Sequence, residues 1–332
     1  MTTAHKQPRV LGIGASTFDI VARCSQSELK SYGFTRGKSS LLAGSEFEEM
    51  LMELKRGKRV VAECLGGKVR NTLEGLRRAA NGNGENAYVC AVGSDKESAR
   101  FVNGLEKAGI NSLHSSRKKC RIGKTIVFVD EERERTLAYT NGDAEELAIN
   151  EVRMHEKTLK NSEVLLASSL SARSKAPIGE AVRHLMTVAK ENSVLVALTV
   201  ECSKTLGAER AEVIEILRNA DILFMNESEA LTITQEIHLE NALGKLKEVS
   251  PVVAVVGHGA NYAYVQHDGY TLMIRIENEN RVDNTGACDL FASGVLLGQM
   301  EKLGIERTGK IAAGLVSEVV QRFGASFVEL EE

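Results

Sequence analysis

Short apolar runs alternate with amphipathic stretches along most of the chain. Arg9–Ile13, Ala87–Val92, Val164–Ala167, Val194–Thr199, Ile222–Met225 and Val252–Val256 are each four to six residues of nearly continuous apolar character. Runs this short predict strands buried on both faces. Between them, apolar residues recur at helical spacing over Asn71–Ala80, Ser98–Ala108, Ile178–Glu191, Glu209–Arg218, Ala242–Lys247 and Ala287–Met300. Strand–helix alternation predicts an α/β fold: a doubly wound, mostly parallel sheet flanked by helices. Ligands of such sheets sit beyond the carboxyl ends of the strands.

Two stretches break the rhythm. Thr17–Leu65 and Ser112–Asn141 carry alternating or charge-interleaved patterns over Phe18–Cys24, Arg59–Leu65, Lys124–Val129 and Thr136–Thr140. They predict a small second β subdomain assembled from residues 17–65 and 112–141, inserted between units of a core of residues 1–16, 66–111 and 142–332. Asn81–Asn86 reads as a turn, and no internal repeat is visible.

Composition narrows the function classes. A length of 332 residues suggests about two domains. Forty-two basic against forty-five acidic residues leave a net charge of −3. With no long basic tract, neither nucleic acid nor a membrane surface is an expected partner. The longest apolar runs, Val194–Val200 and Val252–Gly257, are too short to cross a bilayer. Met1–Arg9 lacks the pattern of a secretory signal. Six cysteines, at positions 24, 64, 90, 120, 202 and 288, form no C-x-x-C pair. They read as reduced thiols of a cytoplasmic protein; a monomer or homodimer acting on a small molecule is expected.

Two glycine-containing segments are decoys. Gly12-Ile-Gly14 follows a strand, but Thr17 stands where a dinucleotide fingerprint needs its third glycine. Gly123-Lys124-Thr125 resembles the end of a phosphate loop, yet Lys118 replaces its first glycine and a strand pattern follows.

The informative segment is Asp283-Asn-Thr-Gly-Ala-Cys-Asp289, which runs straight into a helical pattern. A short Gly-Ala turn opening a helix leaves unpaired N–H groups backed by the positive end of the helix dipole, a setting for a phosphoryl oxygen. Asp289, in the first turn, either caps the helix or accepts the proton of an attacking hydroxyl. Asn226-Glu-Ser-Glu229 lies just past a strand. Its Glu229 either completes a capping box or organises Mg²⁺ through water. Gly66-Gly67, five and four residues before Asn71, is a tight turn or a place of close ligand approach, with Asn71 offering donor and acceptor to hydroxyls. Asp19, past the first strand, is a candidate acceptor for sugar hydroxyls.

These segments, in this order, resemble the ribokinase-like (phosphofructokinase-B) carbohydrate kinases. Asp283–Asp289 matches the family's Asp-Thr-Thr-Gly-Ala-Gly-Asp signature at five of seven positions. Gly66, Gly67 and Asn71 match its Gly-Gly-x-x-x-Asn motif, and Asn226 and Glu229 its Asn-x-x-Glu motif. Within the family the adenosine-kinase-like branch is similar in three phrases: Ala197–Val200, Ile222–Ala230 and Ser317–Ala325. The resemblance implies a doubly wound α/β domain with a β lid, and ATP- and Mg²⁺-dependent transfer to a hydroxyl of a nucleoside or sugar. Adenosine is the first candidate acceptor and ribose the second. The alternatives are a ribokinase-type or sugar-phosphate kinase, or a non-catalytic binding relative. By resemblance Asp289 is the base, Gly286, Ala287 and Cys288 form the anion hole, and Asp19, Gly66, Gly67 and Asn71 hold the acceptor. Asn226 and Gly257, with Gly286, face the nucleotide, and Glu229 faces the metal.

The chain departs from the family pattern at three places. Cys288 replaces a glycine, where a left-handed backbone would cost about 1 kcal/mol; at a helix N-terminus its thiol is also expected to ionise readily. The nucleotide loop Val255–Ala260 keeps Gly257 but loses the family's threonine and last glycine. Lys68 and Arg70 stand where small residues are usual; they read as solvated charges, or as groups that meet an anionic acceptor such as a sugar phosphate.

Overall fold

A computed structural model describes residues 9–117, 120–201, 209–267 and 269–330. Its strands are β1 (Val10–Ile13), β2 (Thr17–Arg23), β3 (Ser39–Leu41), β4 (Val60–Leu65), β5 (Asn86–Val92), β6 (Ile110–Ser116), β7 (Gly123–Val129), β8 (Arg135–Thr140), β9 (Val164–Ser168), β10 (Leu195–Thr199), β11 (Ile222–Asn226), β12 (Val252–Val256), β13 (Tyr262–His267) and β14 (Tyr270–Arg275). The helices are α1 (Gln26–Ser31), α2 (Gly44–Arg56), α3 (Lys68–Ala79), α4 (Lys96–Lys107), α5 (Ile149–Arg153), α6 (Glu156–Lys160), α7 (Ser169–Arg173), α8 (Pro177–Glu191), α9 (Arg210–Leu217), α10 (Glu227–Thr234), α11 (Leu239–Leu246), α12 (Ala287–Met300) and α13 (Ile305–Val319).

The large sheet runs β14-β13-β12-β11-β10-β9-β1-β5-β6. From β12 to β6 all neighbours are parallel, and β13 and β14 add an antiparallel hairpin at one edge. Chain order reverses direction between β1 and β9, so the switch point lies beyond the carboxyl end of β1. Apolar residues alternate to the two faces. One face packs with α3, α12 and α13, and the other with α8, α10 and α11. This is the doubly wound, mostly parallel α/β arrangement, and each of the six apolar runs forms one of its strands.

The small sheet, β3-β8-β7-β2-β4, is built from residues within 17–65 and 123–140. Its outer face is covered by Leu29 of α1 and by Phe47, Leu51 and Leu54 of α2, against Ile20, Ile126, Phe128 and Ala138. One expected boundary is corrected: Ser112–Ser116 belong to β6 and pair in parallel with Tyr88–Val92 of β5. β6 is an edge strand of the large sheet. Its half-exposed alternation of Ser112, Leu113, His114 and Ser115 therefore imitates the pattern of the small one.

α12 is buried on nearly every side, and small residues make that possible. A Cβ on Gly75 of α3 would collide with Leu290 and Ser293, and Cβ atoms on Gly294 and Gly298 would collide with Ala312 and Thr308 of α13. Ser293 Oγ lies 2.8 Å from both Thr72 O and Asp289 O, bonding the two helices across their closest approach. That approach sets the N-terminal turns of α3 and α12 side by side. The decoy glycines Gly12 and Gly14 serve packing too, since side chains there would strike Leu73, Val69 and Tyr88.

Candidate active site

The Asp283–Asp289 turn is held from behind. Asp283 is fully buried; its Oδ1 accepts from Thr285 N–H (2.9 Å) and Thr285 Oγ1 (2.7 Å), and its Oδ2 accepts from Gly324 N–H (3.0 Å). Gly286 caps α12 in the left-handed region at φ 81°, and a Cβ there would run into Ala325. Both facts demand glycine. Ala287 N–H is taken by Asn284 O at 3.2 Å, whereas the N–H groups of Gly286, Cys288 and Asp289 meet no acceptor among the described residues. The turn therefore presents donors outward at the positive end of a 14-residue helix.

Cys288 lies inside the helix with no positive φ, so the anticipated strain does not arise; Gly286 carries the left-handed conformation. The surroundings of the thiol also oppose the expected thiolate. Burial, with the neighbouring Glu229 charge, pushes the Cys288 thiol up to about 12. Desolvation opposes the dipole here and favours the neutral thiol.

Asp289 is buried, and its Oδ2 accepts from Asn71 Nδ2 at 2.8 Å. Burial raises its pKa above the usual carboxylate value, against the opposing pull of Lys68 and of the Asn71 bond. Asp19, on β2, is the second carboxylate. Burial lifts it to about 6, opposed by Arg70 and reinforced by Asp289 and Asp283. The glycine pair serves this carboxylate. A side chain on Gly66 would overlap the Asp19 carboxyl group, and Gly67 caps α3 at φ 93°.

Glu229 is buried and does what a capping box requires: Asn226 N–H donates to Glu229 Oε2, and Glu229 N–H donates to Asn226 Oδ1, each at 2.8 Å. Its Oε1 accepts from Lys68 Nζ at 3.2 Å, and the same ammonium donates to Val200 O at 2.9 Å. Lys68 is thus a paired and only partly exposed charge. Burial opposes its ionisation, but Glu229, Glu201 and Asp289 together hold the ammonium above its ordinary range. Arg70 departs further from expectation, because its side chain is fully buried. A lysine or arginine at the start of an amphipathic helix ordinarily points to water; the glycine turn aims these two inward instead.

On the far side, Gly257 N–H donates to Tyr262 O (2.9 Å), and a Cβ on Gly257 would strike the Tyr262 ring. Glu227 Oε2 accepts from His258 N–H (2.9 Å) and Tyr262 Oη (2.8 Å), joining this loop to the start of α10. Ala260, at the lost family glycine, retains a left-handed φ of 54°.

The structure thus gathers Asp19, Gly66, Gly67, Asn71, Gly286, Ala287, Cys288, Asp289 and Glu229 at the carboxyl edge of the large sheet, with Asn226 and Gly257 ending β11 and following β12. Sequence reasoning missed three residues here. Lys68 reads from the sequence as a solvated charge or as a group that meets an anionic acceptor, and not as the partner of Glu229. Glu201, past β10, has its charge felt at Lys68, Asp289 and Glu229. Arg135, on β8, has no hydrogen bond or ion pair among the described residues through its side chain, yet its charge reaches Asp19 and Cys288. Glu201 directly follows the Ala197–Val200 phrase without belonging to it; Arg135 lies far from any motif, and only the strand register exposes it, on the same face of the small sheet as Asp19.

Residues 48–332 match the pfkB family carbohydrate kinase domain. The chain belongs to that family. This kinase is 23% identical over 244 residues to an uncharacterized sugar kinase of Archaeoglobus fulgidus, covering 73% of this chain and 93% of the relative. It is 24% identical over 274 residues to the adenosine kinase of Saccharomyces cerevisiae, covering 79% of each. Among solved structures, the adenosine kinase of Sinorhizobium meliloti superposes with a TM-score of 0.87 at 25% identity, covering 97% of both chains. Membership makes the protein a phosphotransferase with ATP as donor. No described helix of this kinase is long and apolar enough to cross a membrane. Cys24, Cys64, Cys90, Cys120 and Cys288 are free thiols; Cys202 lies outside the described residues.

Proposed function

We propose that this kinase transfers the γ-phosphoryl group of ATP to a hydroxyl of a nucleoside, adenosine first and ribose-type sugars second, in the cytoplasm. The observation that carries this reading is the Asn71–Asp289 hydrogen bond beside three outward N–H groups at the start of α12. A hydroxyl lying against Asp289 would face the phosphoryl position directly.

Asp289 takes the proton of the attacking hydroxyl. Its raised pKa brings the base nearer to operating pH, which favours proton transfer. The N–H groups of Gly286 and Cys288 stabilise the charge that grows on the phosphoryl oxygens, and Lys68 and Arg135 add positive charge from opposite sides. Asp19 and Asn71 hold the acceptor's other hydroxyls. A nucleoside is favoured over a bare sugar by the small sheet. Next to the polar row Asp19, Thr125 and Tyr139 lies an apolar row, Ala62, Val21, Val127 and Leu137, packed with Phe323. A flat base suits that row, and the small sheet then acts as a lid that excludes water.

Asn226 and the Gly257 loop face the nucleotide. Mg²⁺ would supply charge neutralisation between the phosphates. Among the described residues no group of three or more metal-binding side chains exists, and both Glu229 oxygens already have protein partners. Such a site fits a metal held mainly by phosphates and water, with Glu229 reaching it through a bound water. Phosphate transfer from ATP to a panel of adenosine, other nucleosides, ribose and sugar phosphates, read as ADP release, tests the proposal. Turnover on adenosine well above the sugars supports it; preference for a sugar phosphate would replace it.

A further inference from the structure

Arg70 stands next to Asn71 and is completely buried. Its five N–H groups meet five acceptors. Nε faces Gly66 O (3.3 Å), Nη1 faces the Glu74 carboxylate and Ser326 Oγ (3.4 Å), and Nη2 faces Leu65 O and Asn71 Oδ1. Glu74, which balances the charge, is itself engaged by Ser326 Oγ (2.9 Å) and Phe327 N–H (2.8 Å). A buried guanidinium is tolerated only when paired this fully.

One of these contacts bears on the reaction. The two ends of a carboxamide are chemical opposites, and the neighbours decide which way it turns. Asn71 Oδ1 lies against the guanidinium, which leaves its NH₂ to donate to Asp289 Oδ2 at 2.8 Å. Turned over, the amide would press NH₂ against the guanidinium and its oxygen against the carboxylate, two repulsions at once.

We infer that Arg70 is a positioning residue for phosphoryl transfer: its guanidinium fixes the Asn71 carboxamide with the NH₂ toward Asp289, and anchors that pair to the end of β4 at Leu65–Gly66 and to the C-terminal segment at Ser326. The inference rests on the proposed role of Asp289. Arg70 itself touches neither substrate nor the reacting atoms; it acts through Asn71.

The test uses Arg70→Lys, which keeps the charge but not the planar fork, and Arg70→Met/Glu74→Gln, which leaves no unpaired buried charge. Both should melt cooperatively, with kcat lowered at least about 10-fold and KM for ATP changed by less than about 3-fold, the signature of a misplaced reacting group. In an Asn71→Ala background, Arg70→Lys should cost less than about 2-fold further, because the two residues act as one unit. Glu74→Gln alone should lower Tm while keeping kcat within about 3-fold of wild type. The side-chain NH₂ resonances of Asn71, identified by their loss in Asn71→Ala, should shift and exchange faster with solvent in Arg70→Lys. Wild-type kcat in both Arg70 variants, or equal losses with and without Asn71, overturns the inference. If the wild-type enzyme transfers phosphate to no acceptor, the kinase reading of the site falls, and the resonances alone decide: unchanged Asn71 signals in Arg70→Lys overturn the role of Arg70.

Discussion

The two halves of the site are built by different means. The acceptor half, around Asp19, Lys68, Arg70, Asn71 and Asp289, is a buried lattice of charges in which side chains hold one another. The donor half, around Asn226 and Gly257–Ala260, is shaped by backbone: His258 N–H on Glu227, Gly257 N–H on Tyr262 O, and Gly259 O held by Arg281 Nη1 at 2.6 Å. Side-chain lattices fail when one identity changes, because the partner is left buried and unpaired. Backbone-built loops tolerate change provided the φ/ψ path survives. The donor loop fits that description: it lacks two letters of the family pattern and keeps the left-handed turn at residue 260.

That contrast can be broken by substitution on either side, and Lys68→Met should give the largest effect. It removes a cation beside the phosphoryl position and is expected to lower kcat by about 10²-fold. Burial raises the Asp289 carboxyl, and Lys68 leads the groups that pull it back. Without Lys68 the acid limb of the kcat–pH profile should therefore move to higher pH. A profile superimposable on wild type would detach Lys68 from the base.

Asp19→Asn should raise KM for the acceptor by about 10-fold or more, since a hydrogen bond to a charged group is lost. The same change should stabilise the fold near pH 7.5. Native Asp19 titrates at about 6 against an ordinary 3.8, so the folded state binds the proton more tightly than the unfolded chain does. Between those values stability falls as pH rises, and above about 6 the penalty is complete. Thermal melts should show the Asn variant ahead by about 1–3 kcal/mol at pH 7.5 and level with wild type near pH 3. A variant less stable at pH 7.5 would mean that the carboxylate supports the fold.

The smallest effect is expected in the donor half. Ala260→Gly relieves a left-handed alanine and should gain about 0.5–1 kcal/mol after the entropy of glycine in the unfolded chain is allowed for. Denaturant melts measure it, and KM for the acceptor should not move. A loss of stability would show that the loop uses the Ala260 methyl in packing.

Legibility from the sequence follows the same division. The central strands and α12 are readable because burial on both faces leaves only apolar letters, and Ala287–Met300 is predicted to the residue. The motif glycines are readable because Gly67 and Gly286 adopt positive φ and Gly66 faces a carboxylate. What escapes depends on distant partners. Arg70 is written like a surface residue, and only the convergence of Leu65, Glu74 and Ser326 buries it. The α1 and α2 helices hide within a stretch whose strands dominate the pattern. The β13–β14 hairpin, half-exposed at the sheet edge, has neither a continuous apolar run nor a motif.

The central claim is that Asp289, set by Asn71 at the start of α12, takes the proton of the acceptor hydroxyl. Its most direct test is kcat of Asp289→Asn with adenosine and ATP both saturating, alongside adenosine binding measured by calorimetry. The account predicts nearly unchanged binding and a kcat lowered by at least about 10²-fold, the low end for loss of a general base. A variant that keeps more than about a tenth of wild-type turnover would contradict it.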